Sequence, residues 1–103
     1  TFGAESVRTS PLQYKKIKKV AVCGGSGSFL IETAKVRKAD AFLTADLKYH
    51  DFFKVENQLL LTDIGHFESE QFIKEVFFDL ISKKMPTFAL YFSEKEVNYV
   101  HYF

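Results

Sequence analysis

Three short apolar runs, each breaking off at a glycine or an acid before helix-patterned sequence, constrain this chain more than any other feature. Ile17–Cys23 is rich in β-branched residues and stops at Gly24-Gly25, Ala41–Ala45 stops at Asp46, and Leu59–Ile64 stops at Gly65. Runs of this length bounded by turn residues read as buried strands. Ser28 is placed to cap a helix whose Leu30, Ile31 and Ala34 carry it to about Lys38, and Lys48–Asn57 suits a shorter helix. A long helix is expected over His66–Lys84, ended by Pro86, with Ile73, Val76, Phe77, Leu80 and Ile81 forming one apolar stripe. Strands alternating with helices predict an α/β fold with a mixed, mainly parallel sheet flanked by helices. The aromatic-rich Thr87–Ser93 and Asn98–Phe103, joined through Glu94–Val97, are expected to add a C-terminal antiparallel strand pair.

Residues 1–16 are polar, punctuated by Gly3 and Pro11, and read as a linker or edge segment; 17–103 read as the folded unit. A chain of 103 residues makes one domain with a small core. Twelve Phe are more than such a core readily hides, so part of the surface is expected to be covered by another domain or subunit. Residues 1–38 carry eight basic side chains against two acidic, whereas 39–103 carry six against eleven. The basic group Lys15, Lys16, Lys18 and Lys19 could meet phosphate. It reads more simply as a solvated approach to the first strand, and no nucleic-acid partner is expected. A single cysteine rules out an intrachain disulfide and suggests a reducing compartment. Without a secretory signal or an apolar run near the roughly 20 residues that span a bilayer, the expectation is a cytoplasmic protein with no membrane partner. The opening Thr1 and a single Met, Met85, suggest a fragment of a longer protein.

Chemistry concentrates where the runs end. In Asp63-Ile64-Gly65-His66-Phe67-Glu68-Ser69-Glu70, His66 and Glu70 are four apart and share a helix face. Glu70 lies three residues before Ile73, so it extends the inward stripe, where an unpaired carboxylate is costly and calls for a cation, a metal or an open cleft. Glu68 reads as the exposed acid. Histidine plus carboxylate is an ordinary ligand set for Zn, Mn or Fe, and carboxyl ends of strands are the usual ligand crevice. A solvent-facing first turn with an incidental histidine is the plainer alternative. Gly24, Gly25, Ser26 and Gly27 form a glycine-rich turn whose N–H groups could cradle phosphate, although Leu30 replaces the third glycine of a dinucleotide fingerprint and no P-loop lysine follows. A tight turn with close helix–strand packing would need the same residues. Asp46 and His50, again four apart after a strand end, could support His66 from behind, touch a substrate, or only cap a helix. Cys23 is expected to be a small buried hydrophobe and His101 a structural residue of the last strand.

The segments VAVCGGSGS at 20–28, TADLKYHD at 44–51 and DIGHFESE at 63–70 together resemble the NGG-one-interacting-factor-three-like family of dinuclear metal center proteins, the GTP cyclohydrolase I type 2 homologs. The resemblance runs from about Val7 to Phe103 and corresponds to the family's C-terminal segment; Ala45 departs from it where glycine is more usual. It implies a C-terminal half-domain that pairs with a similar N-terminal half in a toroidal homohexamer. Two divalent metal ions per full-length subunit would lie between the halves. His66 and Glu70 match the family's C-terminal ligands, the other ligands being an adjacent His pair and an Asp of the N-terminal half. This chain has no His-His, so it is expected to bind metal weakly or not at all alone. The implied activity is metal-dependent hydrolysis of the GTP cyclohydrolase type. A nucleotide- or phosphate-binding regulatory module and a protein-interaction scaffold are the competing readings.

Overall fold

A computed structural model describes residues 2–11, 16–91, 93 and 95–103. Its centre is a four-stranded sheet of β1 (Arg8–Thr9), β2 (Val20–Ser26), β3 (Ala41–Ala45) and β4 (Leu60–Asp63), in the order β1-β4-β3-β2. β2 and β4 run parallel to β3, and β1 pairs antiparallel with β4. The expected α/β class with a mixed, mainly parallel sheet therefore holds. The antiparallel pairing, however, is at the β1 edge rather than at the C-terminus. Among the described residues, 87–103 hold no strand; Phe92 and Glu94 of that expected hairpin lie outside the described residues, as does Lys15 of the basic group. Aromatic enrichment favours strands only where a neighbouring edge offers a ladder, and this segment meets none.

β3 is central because Ala41, Phe42, Thr44 and Ala45 are all buried, as a strand covered on both faces requires. Phe42, Leu61, Ile31 and Val55 anchor one core with Ala34, Leu47 and Leu59, and Ala21 and Cys23 pack on its margin. Each large side chain fully buried there contributes about 1.5–3 kcal/mol. The β2–β3 crossover is a 3-10 turn, Ser28–Leu30, followed by α1 (Ile31–Val36). Ser28 opens that turn rather than capping it, and Gly27 precedes it without a side-chain cap. The displacement follows from β2, which continues through Gly24–Ser26 with a register irregularity after Val22. At the other end of β2, the Asp40 carboxylate accepts the amides of Lys18 and Lys19, both at 2.9 Å, and fixes the strand's entry.

The Lys48–Asn57 region forms a 3-10 helix at Tyr49–Phe53. Asp51 is buried, accepts the Lys48 amide at 2.8 Å and pairs with Lys54 at 2.9 Å. The hydrogen bond from Lys54, then that from the Lys48 amide, hold the Asp51 carboxyl below its ordinary value of 3.8. A carboxyl lowered by folding stabilises the fold above its unfolded pKa and loses that contribution as pH falls through the folded one. Asp51→Ala is expected to destabilise by about 1 kcal/mol near pH 7, as loss of a cap does. In denaturation curves the gap to wild type should narrow below the ordinary carboxyl value of 3.8.

The predicted long helix is two helices. α2 (His66–Glu70) ends at Gln71, and α3 (Ile73–Lys84) starts after Phe72. The break falls where the Gln71 carboxamide donates to the Phe2 carbonyl and Phe72 turns to φ −92°, ψ 0°. It uncouples the phase of α2 from that of α3. As a result Glu68, expected to be exposed, is 6% exposed, whereas the expected inward acid Glu70 is half-exposed. The α3 stripe is not core: Ile73, Val76, Phe77 and Leu80 are all 50–56% exposed and Ile81 39%. α3 buries no residue, and the radius of gyration is 16.5 Å, against about 13 Å for a compact chain of this length. The apolar face is formed as expected, but among the described residues none covers it. No helix among the described residues is long and apolar enough to cross a membrane.

Candidate metal-side cleft

The site lies at the carboxyl ends of β2, β3 and β4, where α2 packs back on the sheet. Asp46 follows β3 with φ +55°, a left-handed conformation that Asp tolerates better than most residues. This bend sets its carboxylate against His66, with Oδ2 2.5 Å from Nδ1, while the Ser26 hydroxyl donates to the same oxygen. The Ser26 bond, then the His66 bond, lower the Asp46 pKa; the Asp46 bond is the main cause raising that of His66. On the other side of the ring, His66 Nε2 lies 3.1 Å from Glu70 Oε2. The two side chains converge, and both line a cleft of about 590 Å³ with Asp46 and Glu68.

The donor set fits a divalent ion. Two ligand atoms each about 2.1 Å from one ion, on neighbouring coordination positions, are about 3.0–3.4 Å apart, and the His66–Glu70 gap falls in that interval. Asp46 holds the opposite nitrogen, so it orients the ring and cannot share the ion. Among the described residues no group of three or more His, Cys, Asp or Glu side chains could hold a metal, so His66 and Glu70 stand as a candidate pair only.

His50 does not join them. The 3-10 helix begins at Tyr49, so Asp46 and His50 share no helix face, and the His50 ring packs on Tyr49 and Phe53. The glycine turn packs tightly against α2. The Gly25 amide donates to Ser69 Oγ at 2.8 Å, and a Cβ on Gly25 would stand 2.5 Å from Glu70 Oε1. An anion at Gly24 and Gly25 would meet a carboxylate, Ser26 is engaged with Asp46, and Gly27 is pressed on Thr44. Gly25→Ala is expected to push Glu70 off its position while costing only about 1 kcal/mol for the left-handed φ of +65°. Thermal unfolding of this chain, with a zinc titration of the longer protein, would show a small loss of stability beside a large loss of affinity. Cys23 is half-buried at the core margin, and His101 is exposed outside any strand.

Sequence reasoning gave no role to Asp63 or Tyr102 and took the buried Glu68 for the exposed acid. Asp63 ends β4 by accepting the Leu47 and Gly65 amides at 3.0 Å and the Arg8 guanidinium, which fixes the turn into α2. An acid followed two residues later by glycine at a strand end is the available signal for that role.

The family model described as Duf34/NIF3 (NGG1p interacting factor 3) matches residues 1–98. A Campylobacter jejuni protein named GTP cyclohydrolase 1 type 2 homolog is 43% identical over 75 residues, covering 72% of this chain and 30% of that protein. A Staphylococcus epidermidis protein of the same name is 40% identical over 95 residues, covering 86% and 25%. Among solved structures, a Bacillus cereus protein related to NIF3 shares the fold at TM-score 0.78 and 24% identity, covering 99% of this chain and 29% of that one. A Staphylococcus aureus protein does so at TM-score 0.66 and 29% identity, covering 81% and 29%. This chain thus spans under a third of the length of each of these four relatives. With the family model reaching from its first residue to Asn98, the chain belongs to the Duf34/NIF3 family.

Proposed function

We infer that this chain is the C-terminal part of a dinuclear divalent-metal protein, a metal-dependent hydrolase of the GTP cyclohydrolase 1 type 2-like class, to which it supplies His66 and Glu70 as ligands. The observation that carries this reading is the histidine held at Nδ1 by Asp46 with Nε2 3.1 Å from the Glu70 carboxylate. A neutral His66 donates Nδ1–H to Asp46 and offers its Nε2 lone pair to the cleft. Glu70, half-exposed at the cleft mouth, adds an oxygen donor and negative charge beside it. Zn, Mn or Fe bound there, two ions per complete subunit, would polarise a substrate and activate water. Ser26 and Asp46 keep the imidazole in one orientation while this happens.

The remaining ligands come from a similar N-terminal half, and the uncovered α3 stripe gives that half, or a neighbouring subunit of a homohexamer, an apolar face to cover. We place the assembled protein in the cytoplasm. The phosphate-binding reading is weakened by the engaged Gly25 amide and the adjacent Glu70 carboxylate. A pure scaffold would need the apolar face but not the clamped histidine. Elemental analysis decides between them. The longer protein should retain about two divalent ions per subunit and this chain almost none; a metal-free longer protein would overturn the inference.

A further inference from the structure

α2 is only five residues long, too short to hold its own orientation, yet it carries both His66 and Glu70. On the β2 side it is tied by Ser69, whose Oγ accepts the Gly25 amide at 2.8 Å. The other tie is Glu68, which is buried and points toward the C-terminal segment. Asn98 Nδ2 donates to Glu68 Oε1 at 3.0 Å, and the Tyr102 hydroxyl lies beside the same carboxylate. Asn98 also shapes the segment itself, because its Oδ1 accepts the Val100 amide at 3.0 Å. Gly65, at φ +90°, permits this arrangement: a Cβ there would stand 2.1 Å from Glu68 Oε2 and 3.0 Å from the Tyr102 hydroxyl. Glu68, Asn98 and Tyr102 line the same cleft as His66 and Glu70. The family match stops at Asn98, so Tyr102 lies outside it.

We propose that residues 97–102 form a strap across this cleft, pinned to Glu68 by Asn98 and Tyr102, and that these three are positioning residues that set α2 and with it the His66–Glu70 pair. The consequence for metal rests on the function inferred above; the consequence for α2 does not. A buried carboxylate that accepts a side-chain donor, with a phenol beside it, is held strongly, since bonds to charged acceptors are the stronger class. Releasing one donor leaves the carboxylate under-satisfied and lets a one-turn helix rock.

The test is hydrogen exchange on the whole chain, read at the Ser69 and Gln71 amides, which bond to the Gly65 and Phe67 carbonyls. Asn98→Asp places like charges together and should speed exchange at both by about tenfold or more, with β3 amides unchanged. Tyr102→Phe keeps the ring and should give a smaller rise. Asn98→Asp combined with Glu68→Gln restores a donor–acceptor pair and should return exchange toward wild type. A zinc titration of the same substitutions carried in the longer protein should show Kd raised about tenfold in Asn98→Asp, the lower range for a group acting behind a ligand, and recovered in the double variant. Unchanged exchange in both single variants overturns the strap. Faster exchange with undiminished zinc affinity overturns its positioning of the ligands. Equal zinc binding by the wild-type longer protein and its His66→Ala variant instead overturns the metal reading and leaves the exchange result to judge the strap.

Discussion

In a longer protein carrying this chain with the family's N-terminal part, His66→Ala is expected to remove one or both bound ions. Groups that act behind a metal ligand already change affinity by about 10–100-fold, so losing the ligand itself should exceed about 100-fold. Glu70→Ala should follow closely, because Glu70 Oε2 shares the Nε2 side of His66. Asp46→Asn should have an intermediate effect: an amide can still meet Nδ1 but no longer supplies the charge that orients and enriches the imidazole. His50→Ala should leave affinity unchanged, since its ring lies on Tyr49 and Phe53. Metal analysis after dialysis, with calorimetry on the apo-proteins, ranks the four. Stoichiometric metal retained by Glu70→Ala would sink the ligand assignment.

Gly27→Ala should be among the most destabilising single-methyl additions to this chain. A Cβ at this position would stand 2.1 Å from Thr44 Oγ1, 2.9 Å from Thr44 Cβ and 3.1 Å from Cys23 Cβ. Thr44 is fully buried on the central strand, and its hydroxyl donates to the Gly25 carbonyl at 3.0 Å. The methyl therefore has to displace a side chain with nowhere to go and break a buried hydrogen bond. Overpacking of about 1–3 kcal/mol and an unsatisfied buried group of about 1–3 kcal/mol give a combined loss of roughly 2–6 kcal/mol. That is a large part of the stability of a domain this small. Urea denaturation reads the loss directly, and pairing the change with Thr44→Ala should recover much of it by opening the space. The contrast with Gly25→Ala is physical. There the obstructing atom is the far end of an exposed carboxylate that can swing away, so function suffers before stability does.

β3 and β4 were readable because their apolar runs are short and closed by turn residues, whereas β2 starts and ends three residues beyond its run Ile17–Cys23 and the two-residue β1 carries no such run. The one-residue disagreements at Leu59 and Ile64 concern only where the ladder ends. His66 and Glu70 were readable as a pair because four-residue spacing survives in a single helical turn. Glu68 was misjudged because its burial follows from the helix break at Gln71–Phe72 and from a partner thirty residues away. Asp46 was paired with His50 by spacing, whereas its left-handed bend, invisible to periodicity, delivers it to His66.

From sequence alone came the α/β class, the positions of β3 and β4 and the two candidate ligands, which follow from local pattern and residue chemistry, and the family, which the resemblance of three motifs supplied. Tertiary structure decided which carboxylate is buried, which acid holds the histidine, and that the α3 stripe is open. Those outcomes depend on contacts between segments distant in the chain and, for α3, on its burying no residue among those described.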